Sequence, residues 1–314
     1  TIFPVRVFEE ESYTLSPAYD KLFKKVLDYA RETVFAPEDN EFKKRVRWWS
    51  ALALLRSLAS SPVAAASTLR NRAAVADSTE DSVEQADEIG RKTVLDMMDE
   101  DSAESIDVAP GGEIQEYATN PDTHKRRLQA LAKEADALAG KNDSKLQTAI
   151  KTIKQLVKDG YSPIIFCRFI PTVHYLVEHL RDSTRGVEVN GITGSLPPAE
   201  REQRVAQMGD YDKRILVCTD CLSEGINLQD HFDAVMHYDL SWNPTRLEQR
   251  EGRVDRYGQN RKEVKIVTYY GQDNKIDGIV LDVLIRKHQT IRNSLGVSVP
   301  IPGDPNQIAA AILE

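Results

Sequence analysis

The feature that most constrains this fold is an alternation of short apolar runs with helical segments, which extends from about residue 140 to residue 270. Five runs bounded by turn signals are strand candidates: Pro163–Cys167, Val187–Ile192, Arg214–Thr219, Ala234–Tyr238 and Val264–Tyr269. Strands that alternate with helices pair in parallel through right-handed crossovers. We therefore predict an α/β fold with a doubly wound, mainly parallel sheet.

Two further regions precede this alternation. Apolar residues recur at helical spacing from residue 14, so we predict a helical region over residues 1–75. Residues 76–120 are acidic, poor in aromatic residues and end in Pro-Gly-Gly, which predicts a linker that is partly disordered. Residues 121–314 then form the α/β domain.

The net charge of −8 is unevenly distributed along the 314 residues. Between Asp77 and Asp107, twelve acidic residues face only Arg91 and Lys92, a local balance of −10 that leaves about +2 for the rest of the chain. The α/β domain can therefore carry basic patches that bind an anionic partner.

Composition also bears on the cellular compartment. Cys167, Cys218 and Cys221 cannot make a disulfide framework, which is consistent with a reducing, cytoplasmic location. No run of eighteen apolar residues and no secretory signal occur, so we expect no membrane partner. The chain starts at Thr1, and we expect it to be a piece of a longer polypeptide.

Polar side chains follow the strand candidate that ends at Thr219. Asp220, Glu224 and Asn227 supply polar groups, and Gly225 allows close approach of a phosphate or a sugar. On spacing alone, an ordinary turn between a strand and a helix remains the alternative.

A helix predicted from Asn243 and Pro244, which suit its cap and first turn, carries Gln249, Arg253 and Arg256 at i, i+4 and i+7. Two guanidinium groups on one face can grip a transferring γ-phosphoryl group. The same helix carries three acidic residues: Glu248, Glu251 and Asp255. A solvated surface of ion pairs is therefore the alternative.

Five segments occur in order along the chain: SPIIFCRF (Ser162–Phe169), TGSLPPAERE (Thr193–Glu202), TDCLSEGINLQ (Thr219–Gln229), SWNP (Ser241–Pro244) and QREGRVDRYGQ (Gln249–Gln259). They resemble motif IV, the phosphate-contacting element that follows it, motif V, the step after motif V, and motif VI of superfamily-two helicases. The resemblance is to the Swi/Snf-type translocases, especially RapA/HepA-like proteins and the helicase subunit of DISARM phage-defence systems. Gly252 departs from the Asp often found in Swi/Snf proteins.

This resemblance implies the second RecA-like lobe of a nucleic-acid-dependent ATPase. Arg253 and Arg256 would be the arginine fingers, with Arg256 on the γ-phosphate. Three residues would face the nucleotide: Gln249, Glu224 and Gly225. Contacts to the nucleic-acid backbone would come from Arg168, Thr193, Gly194, Ser195 and Thr219.

The phosphate-binding loop G-x-x-x-x-G-K-[ST] does not occur in the sequence. In the resembled family it belongs to a first RecA-like lobe, so we expect ATP with magnesium to bind only together with that missing lobe and this chain alone to be inactive. By analogy with the subfamily, the nucleic acid would be double-stranded DNA, along which the protein translocates without separating the strands.

Two other classes of protein are alternatives. A non-catalytic RecA-like docking module would bind protein or nucleic acid, although the intact arginine pair argues against lost chemistry. A stand-alone small-molecule enzyme would need a nucleophile–base pair or a cofactor loop, and we find neither. Cys218 and Cys221 have redox spacing but lack a second pair for zinc, so we predict no metal site.

Overall fold

The computed structural model describes residues 3–37, 40–74, 121–222 and 226–281, together with residues 87, 90, 91, 93, 94 and 96. The chain divides into two compact units. The first contains residues 3–14, 144–222 and 226–272, and the second contains the other described residues. Most of the acidic segment predicted over residues 76–120 lies outside the described residues.

The strands are β1 (Val5–Tyr13), β2 (Pro163–Phe166), β3 (Glu188–Ile192), β4 (Arg214–Cys218), β5 (Ala234–His237) and β6 (Glu263–Gly271). The helices are α1 (Pro17–Val34), α2 (Glu41–Ser60), α3 (Pro62–Ala74), α4 (Pro121–Asp136), α5 (Ser144–Lys158), α6 (Ile170–Ser183), α7 (Pro198–Met208), α8 (Pro244–Glu251) and α9 (Lys275–Ile279). In the part of the chain that the structure describes, no helix combines the length and the apolarity that crossing a bilayer requires.

The first unit is built on a six-stranded parallel sheet with the order β1-β6-β5-β2-β4-β3. The central strands β2 and β5 are buried at every position, because their apolar residues pack on both faces of the sheet. All five predicted strands occur within two residues of their expected bounds. The predicted α/β fold with a doubly wound parallel sheet is therefore confirmed.

The strand β1 was not expected, since its residues fall within the predicted helical region 1–75. It pairs with β6 from Val5–Glu263 to Tyr13–Gly271 and forms one edge of the sheet. Five of its nine residues are exposed, and the run Glu9–Glu11 breaks the alternation that marks a half-buried strand. Pairing with a partner about 250 residues away, rather than a local pattern, makes this segment a strand.

The helix α8 begins as predicted and ends earlier. The Asn243 side chain accepts a hydrogen bond from the Thr245 N–H, with Pro244 in the first turn. The helix ends at Glu251, where Gly252 forms the C-cap. Arg253 and Arg256 therefore lie in the turns that follow, and the predicted alignment of these residues on one helical face is corrected.

The second unit is helical in its described residues. Leu22, Val26 and Tyr29 of α1 are buried at the spacing that predicted a helix. The longer helix α2 buries residues on all sides, including Trp49 and Leu55. This is the pattern of a helix that lies inside a core rather than on its surface.

Candidate functional site

The predicted nucleic-acid contacts lie where three neighbouring strands end. Arg168 comes two residues after β2, Thr219 follows β4 directly, and Thr193 follows β3 directly. Since β2, β4 and β3 are adjacent and parallel, their carboxyl ends lie at one edge of the sheet, where α/β folds place their ligands. The fold thus brings together segments that are widely separated in the sequence.

The turn after β3 is tightly organised. The hydroxyl oxygens of Thr193 and Ser195 are 2.6 Å apart, and the Leu196 N–H donates to the Thr193 carbonyl. The buried guanidinium of Arg201 in α7 donates to the Leu196 and Gly194 carbonyls at 2.7 and 3.0 Å. This turn is therefore held by Arg201, which lies within the TGSLPPAERE segment but to which the resemblance assigned no role.

Arg201 also contacts the loop after β4. Its Nη1 donates to the Cys221 carbonyl at 2.7 Å, and the Thr219 N–H donates to the Ile192 carbonyl at 3.3 Å. The two predicted backbone-contacting segments are therefore joined to each other. Sequence reasoning missed Arg201 because it is one of several charged residues on α7 and only the fold shows that it is buried.

A small pocket that is partly open to solvent lies on the same edge of the sheet. It is lined by Phe166, Asp220, Leu222, Arg246, Gln249, Arg250 and Arg253. Two of the predicted nucleotide-side residues, Gln249 and Arg253, are thus placed together. Arg246 and Arg250 add two guanidinium groups to which the resemblance assigned no role, although Arg250 lies within the QREGRVDRYGQ segment.

Arg250 is the buried anchor of this pocket. Its Nε and Nη2 donate to the two carboxylate oxygens of Asp220 at 2.6 and 2.8 Å, and its Nη1 donates to the Asp239 carbonyl at 2.8 Å. The Arg250 guanidinium carbon lies 5.3 Å from the centre of the Phe166 ring. Arg246 also approaches the Asp220 carboxylate, at 3.9 Å. The described lining therefore holds three guanidinium groups and one carboxylate, which is a positive balance.

Asp239 connects the pocket to the segment after β2. Its carboxylate accepts hydrogen bonds from the Lys145 ammonium at 2.8 Å and from the Arg168 N–H at 2.9 Å. Lys145 is buried and lies 4.3 Å from the centre of the Tyr238 ring. The backbone of Arg168 is therefore fixed, while its half-buried guanidinium lies 5.4 Å from the Phe169 ring.

The two predicted arginine fingers have different surroundings. Arg253 lines the pocket, whereas Arg256 is exposed and is not among the residues that line it. Among the described residues, the Arg256 side chain forms no hydrogen bond or ion pair. Glu224 and Gly225, the other predicted nucleotide-side residues, lie outside the described part of the chain.

The acidic residues near the fingers are held by Arg6 of β1. Its guanidinium lies 2.7 Å from Glu251, 2.5 Å from Asp255 and 3.6 Å from Glu248. Burial lowers the pKa of Arg6, but the hydrogen bond to Asp255 and the three negative charges outweigh this effect and raise it. These three carboxylates thus share one long-range partner in β1.

His237, at the end of β5, lies beneath the same acidic group. Its Nε2 is 3.2 Å from the Glu251 carboxylate, and no group in the described part of the chain forms a hydrogen bond with its buried Nδ1. Burial lowers the His237 pKa, against the opposing effect of Glu251. The ring therefore favours the neutral form.

The three cysteines are buried, and burial raises the pKa of Cys167 and Cys218 well above the ordinary value. A protonated thiol is a poor nucleophile and a poor metal ligand. Within the described ranges, no group of three or more His, Cys, Asp or Glu side chains is arranged to hold a metal ion.

The family model of the helicase conserved C-terminal domain matches residues 144–258. The chain is 33% identical over 105 residues to the ATP-dependent RNA helicase eIF4A of Candida albicans. This alignment covers 33% of this chain and 26% of that protein. It is 34% identical over 116 residues to the RNA polymerase-associated protein RapA of Yersinia pestis. That alignment covers 36% of this chain and 12% of RapA. The matched segment thus spans a small part of either relative.

Two solved structures share the fold. The C-terminal part of the Fun30 ATPase domain superposes with a TM-score of 0.58 at 15% identity, covering 99% of this chain and 96% of that one. The Sulfolobus solfataricus SWI2/SNF2 ATPase core in complex with dsDNA superposes with a TM-score of 0.56 at 16% identity. This superposition covers 93% of this chain and 46% of that one. At these identities the likeness concerns the fold.

Proposed function

Because this chain carries a helicase conserved C-terminal domain with the fold of a Swi2/Snf2-type C-terminal lobe, we propose that it is the second motor lobe of an ATP-dependent nucleic-acid translocase. Its role is to present arginine side chains to ATP that is bound together with a first RecA-like lobe. Its strand ends contact the nucleic-acid backbone.

The observation that carries this proposal is the pocket lined by Arg246, Gln249, Arg250 and Arg253 at the carboxyl edge of the sheet. Guanidinium groups present several N–H donors in a plane that matches phosphate oxygens. Asp220, the one carboxylate among the described lining residues, pairs with Arg250 and lies 3.9 Å from Arg246. The donor set therefore suits an oligophosphate.

ATP with magnesium supplies the γ-phosphoryl group whose transfer to water drives movement. Arg253 and Arg256 stabilise the negative charge that develops during this transfer, and Gln249 orients the nucleotide end of the pocket. By the resemblance to motif V, we also assign Glu224 and Gly225 to contacts with the nucleotide. The chain has no phosphate-binding loop of its own, so we propose that it is inactive without the first lobe.

The nucleic-acid side of the proposal rests on Arg168, the turn Thr193–Ser195 and Thr219. Hydroxyl, N–H and guanidinium donors at one edge suit phosphate oxygens, which carry no sequence information. We propose double-stranded DNA as the track, which is supported by the fold shared with an ATPase core solved in complex with dsDNA. The similarity to an RNA helicase makes RNA the competing outcome.

The test uses the intact protein that contains this chain, assayed for ATP hydrolysis with double-stranded DNA, with RNA and without nucleic acid. We expect Arg256→Ala to lower the stimulated kcat by about 10³-fold, since arginine fingers have effects of this size. The control is Arg185→Ala, an exposed arginine after α6, which should leave kcat unchanged. Unchanged hydrolysis in Arg256→Ala would refute the role of Arg256 as an arginine finger. If RNA stimulates ATP hydrolysis and double-stranded DNA does not, RNA is the nucleic acid along which the protein moves.

A further inference from the structure

The second, helical unit holds part of the acidic segment against α2. Asp87 makes the first contact: its carboxylate accepts a hydrogen bond from the Trp49 Nε1–H at 2.9 Å and lies 2.6 Å from the Arg45 Nε. Trp49 is only 1% exposed, so its N–H needs an acceptor within the protein. The polar end of a buried indole is thus satisfied by a carboxylate from the acidic segment.

Gly90 packs against the ring of the same indole. A Cβ added at Gly90 would lie within 2.5 Å of three atoms of the Trp49 ring, which is closer than packed atoms approach. The ring has little freedom to move away, because it also packs edge-on against Trp48 with 4.8 Å between the ring centres. A residue without a side chain is therefore required at position 90, about one helical turn after Asp87.

A second carboxylate fixes the segment at Asp96. It accepts hydrogen bonds from the Nη1 and Nη2 of Arg56 in α2 at 3.0 and 2.6 Å, and the Val94 carbonyl accepts from the same guanidinium. Asp96 has a φ of 56°, which residues other than glycine seldom adopt. The ion pair with Arg56 therefore holds the backbone in a conformation that a free peptide would rarely take.

The four contact residues form a pattern of anchors rather than a core. Asp87, Gly90 and Val94 occur at i, i+3 and i+7, which places them on one face of a helix, and the Val94 N–H donates to the Gly90 carbonyl at 2.8 Å. Arg91 is exposed. With its local balance of −10, the acidic segment is of a composition that does not fold alone. A few anchors on one helical face are how a peptide ligand binds a protein groove.

We propose that α2 carries a recognition site for an acidic helical peptide, and that residues 87–96 are its ligand, bound within the same chain. The site selects aspartate at the first position of this ligand, glycine at the fourth and aspartate at the tenth. Trp49 contacts the glycine, and Arg45 and Arg56 contact the two carboxylates. The same peptide, supplied separately, should occupy the site when the chain's own segment cannot. The site lies in the helical unit and does not depend on the proposed motor function.

The experiment follows Trp49 in the full chain labelled with 5-fluorotryptophan. The chain has three tryptophans, and the ¹⁹F resonance of Trp49 is assigned by its loss in Trp49→Phe. We expect Gly90→Ala to shift this resonance and to expose the ring to solvent, because the added methyl group cannot fit against the indole. A synthetic peptide of residues 84–99, added to the Gly90→Ala chain, should return the resonance to its wild-type position. The same peptide carrying Gly90→Ala should bind about tenfold more weakly or less, as expected for overpacking against a fixed ring.

The matched control is Arg91→Ala, which changes the exposed neighbour of Gly90. We expect the Trp49 resonance to stay unchanged in this variant, and a peptide carrying Arg91→Ala to bind like the wild-type peptide. If Gly90→Ala does not fold, Asp87→Ala replaces it in the chain and in the peptide. The Asp87 side chain is 17% exposed, and its loss removes both the acceptor of the Trp49 N–H and the partner of Arg45.

Three results would overturn the proposal. An unchanged Trp49 resonance in Gly90→Ala would show that this contact does not hold the segment. Failure of the wild-type peptide to restore the resonance would make residues 87–96 an inseparable part of the helical unit. Equal effects of Gly90→Ala and Arg91→Ala would show that charge alone attracts the segment. Restoration by the wild-type peptide, and not by the Gly90→Ala peptide, supports a recognition site on α2.

Discussion

Arg250 and Asp220 form a bidentate ion pair at the carboxyl edge of the sheet, with N–O distances of 2.6 and 2.8 Å. Arg250 belongs to α8, and Asp220 lies in the loop after β4. Their side chains are 2% and 10% exposed. The pair joins the helix that carries Gln249 to the strand end that carries Thr219, so it connects the segments that we propose contact the nucleotide and the nucleic acid.

Loss of one partner of this pair should be strongly destabilising. We expect Arg250→Met to lower the free energy of unfolding by about 3–5 kcal/mol, because it removes both short hydrogen bonds from a buried guanidinium to the Asp220 carboxylate. The double variant with Asp220→Asn should lose less than Arg250→Met alone. Urea unfolding measures both values.

The comparison for this ion pair is Arg261→Ala. Arg261 pairs with Asp233 at 2.9 Å, but its side chain is 44% exposed. Solvent-screened pairs of this kind contribute about 0–1 kcal/mol. Equal losses in Arg250→Met and Arg261→Ala would contradict the burial argument.

Arg201 and Arg168 should affect nucleic-acid binding in different ways. Arg201 is buried against the turn after β3, so Arg201→Ala should loosen the turn and weaken nucleic-acid binding. The salt dependence of that binding should stay unchanged. Arg168→Ala should lower the slope of log K against log salt by about one, as expected for one lost phosphate contact. Fluorescence anisotropy of the intact protein at several salt concentrations distinguishes the two. A slope that falls in Arg201→Ala instead would show that Arg201 itself reaches phosphate.

His237 should make stability depend on pH. The ordinary pKa is 6.5, and burial lowers the pKa of His237 in the folded chain. The unfolded state therefore takes up the proton first, so stability is complete above about pH 6.5 and falls as the pH decreases towards the folded-state pKa. His237→Asn should flatten this slope in urea unfolding between pH 7.5 and 5, whereas the exposed His174→Asn should retain it. An unchanged slope in His237→Asn would assign the pH dependence to other groups.

A substitution at Gly258 tests whether the turn that follows Arg256 sets the position of that side chain. It has a φ of 96°, and an added Cβ would meet no atom within 4 Å, so substitution acts through the backbone alone. Gly258→Ala should cost about 1–2 kcal/mol of stability. Gly186, with a φ of 67° and equally open space, should cost a similar amount. Only Gly258→Ala should also lower ATP hydrolysis, and equal hydrolysis in the two variants would show that the turn does not set the Arg256 position.

Much of the candidate site could be predicted from the amino-acid sequence. The apolar runs predicted β2 to β6, and their alternation with helices predicted parallel strands with a shared carboxyl edge. Gln249 and Arg253 were placed together by the motif that resembles motif VI, and the structure puts both in one pocket. The predicted extent of α8 was wrong. The side chains that suggested one helical face continue past Gly252, whereas the helix ends at Glu251.

The sequence by itself determined which segments become buried strands and which motifs end at the same edge, because both follow from local patterns of apolar and turn residues. Only the tertiary structure decided which charges meet. Arg6 pairs with Glu251 across 245 residues, and Arg250 pairs with Asp220 across 30. Ion pairing acts over a few ångströms and is strengthened by burial, so the fold brings together charged partners that are far apart in the sequence.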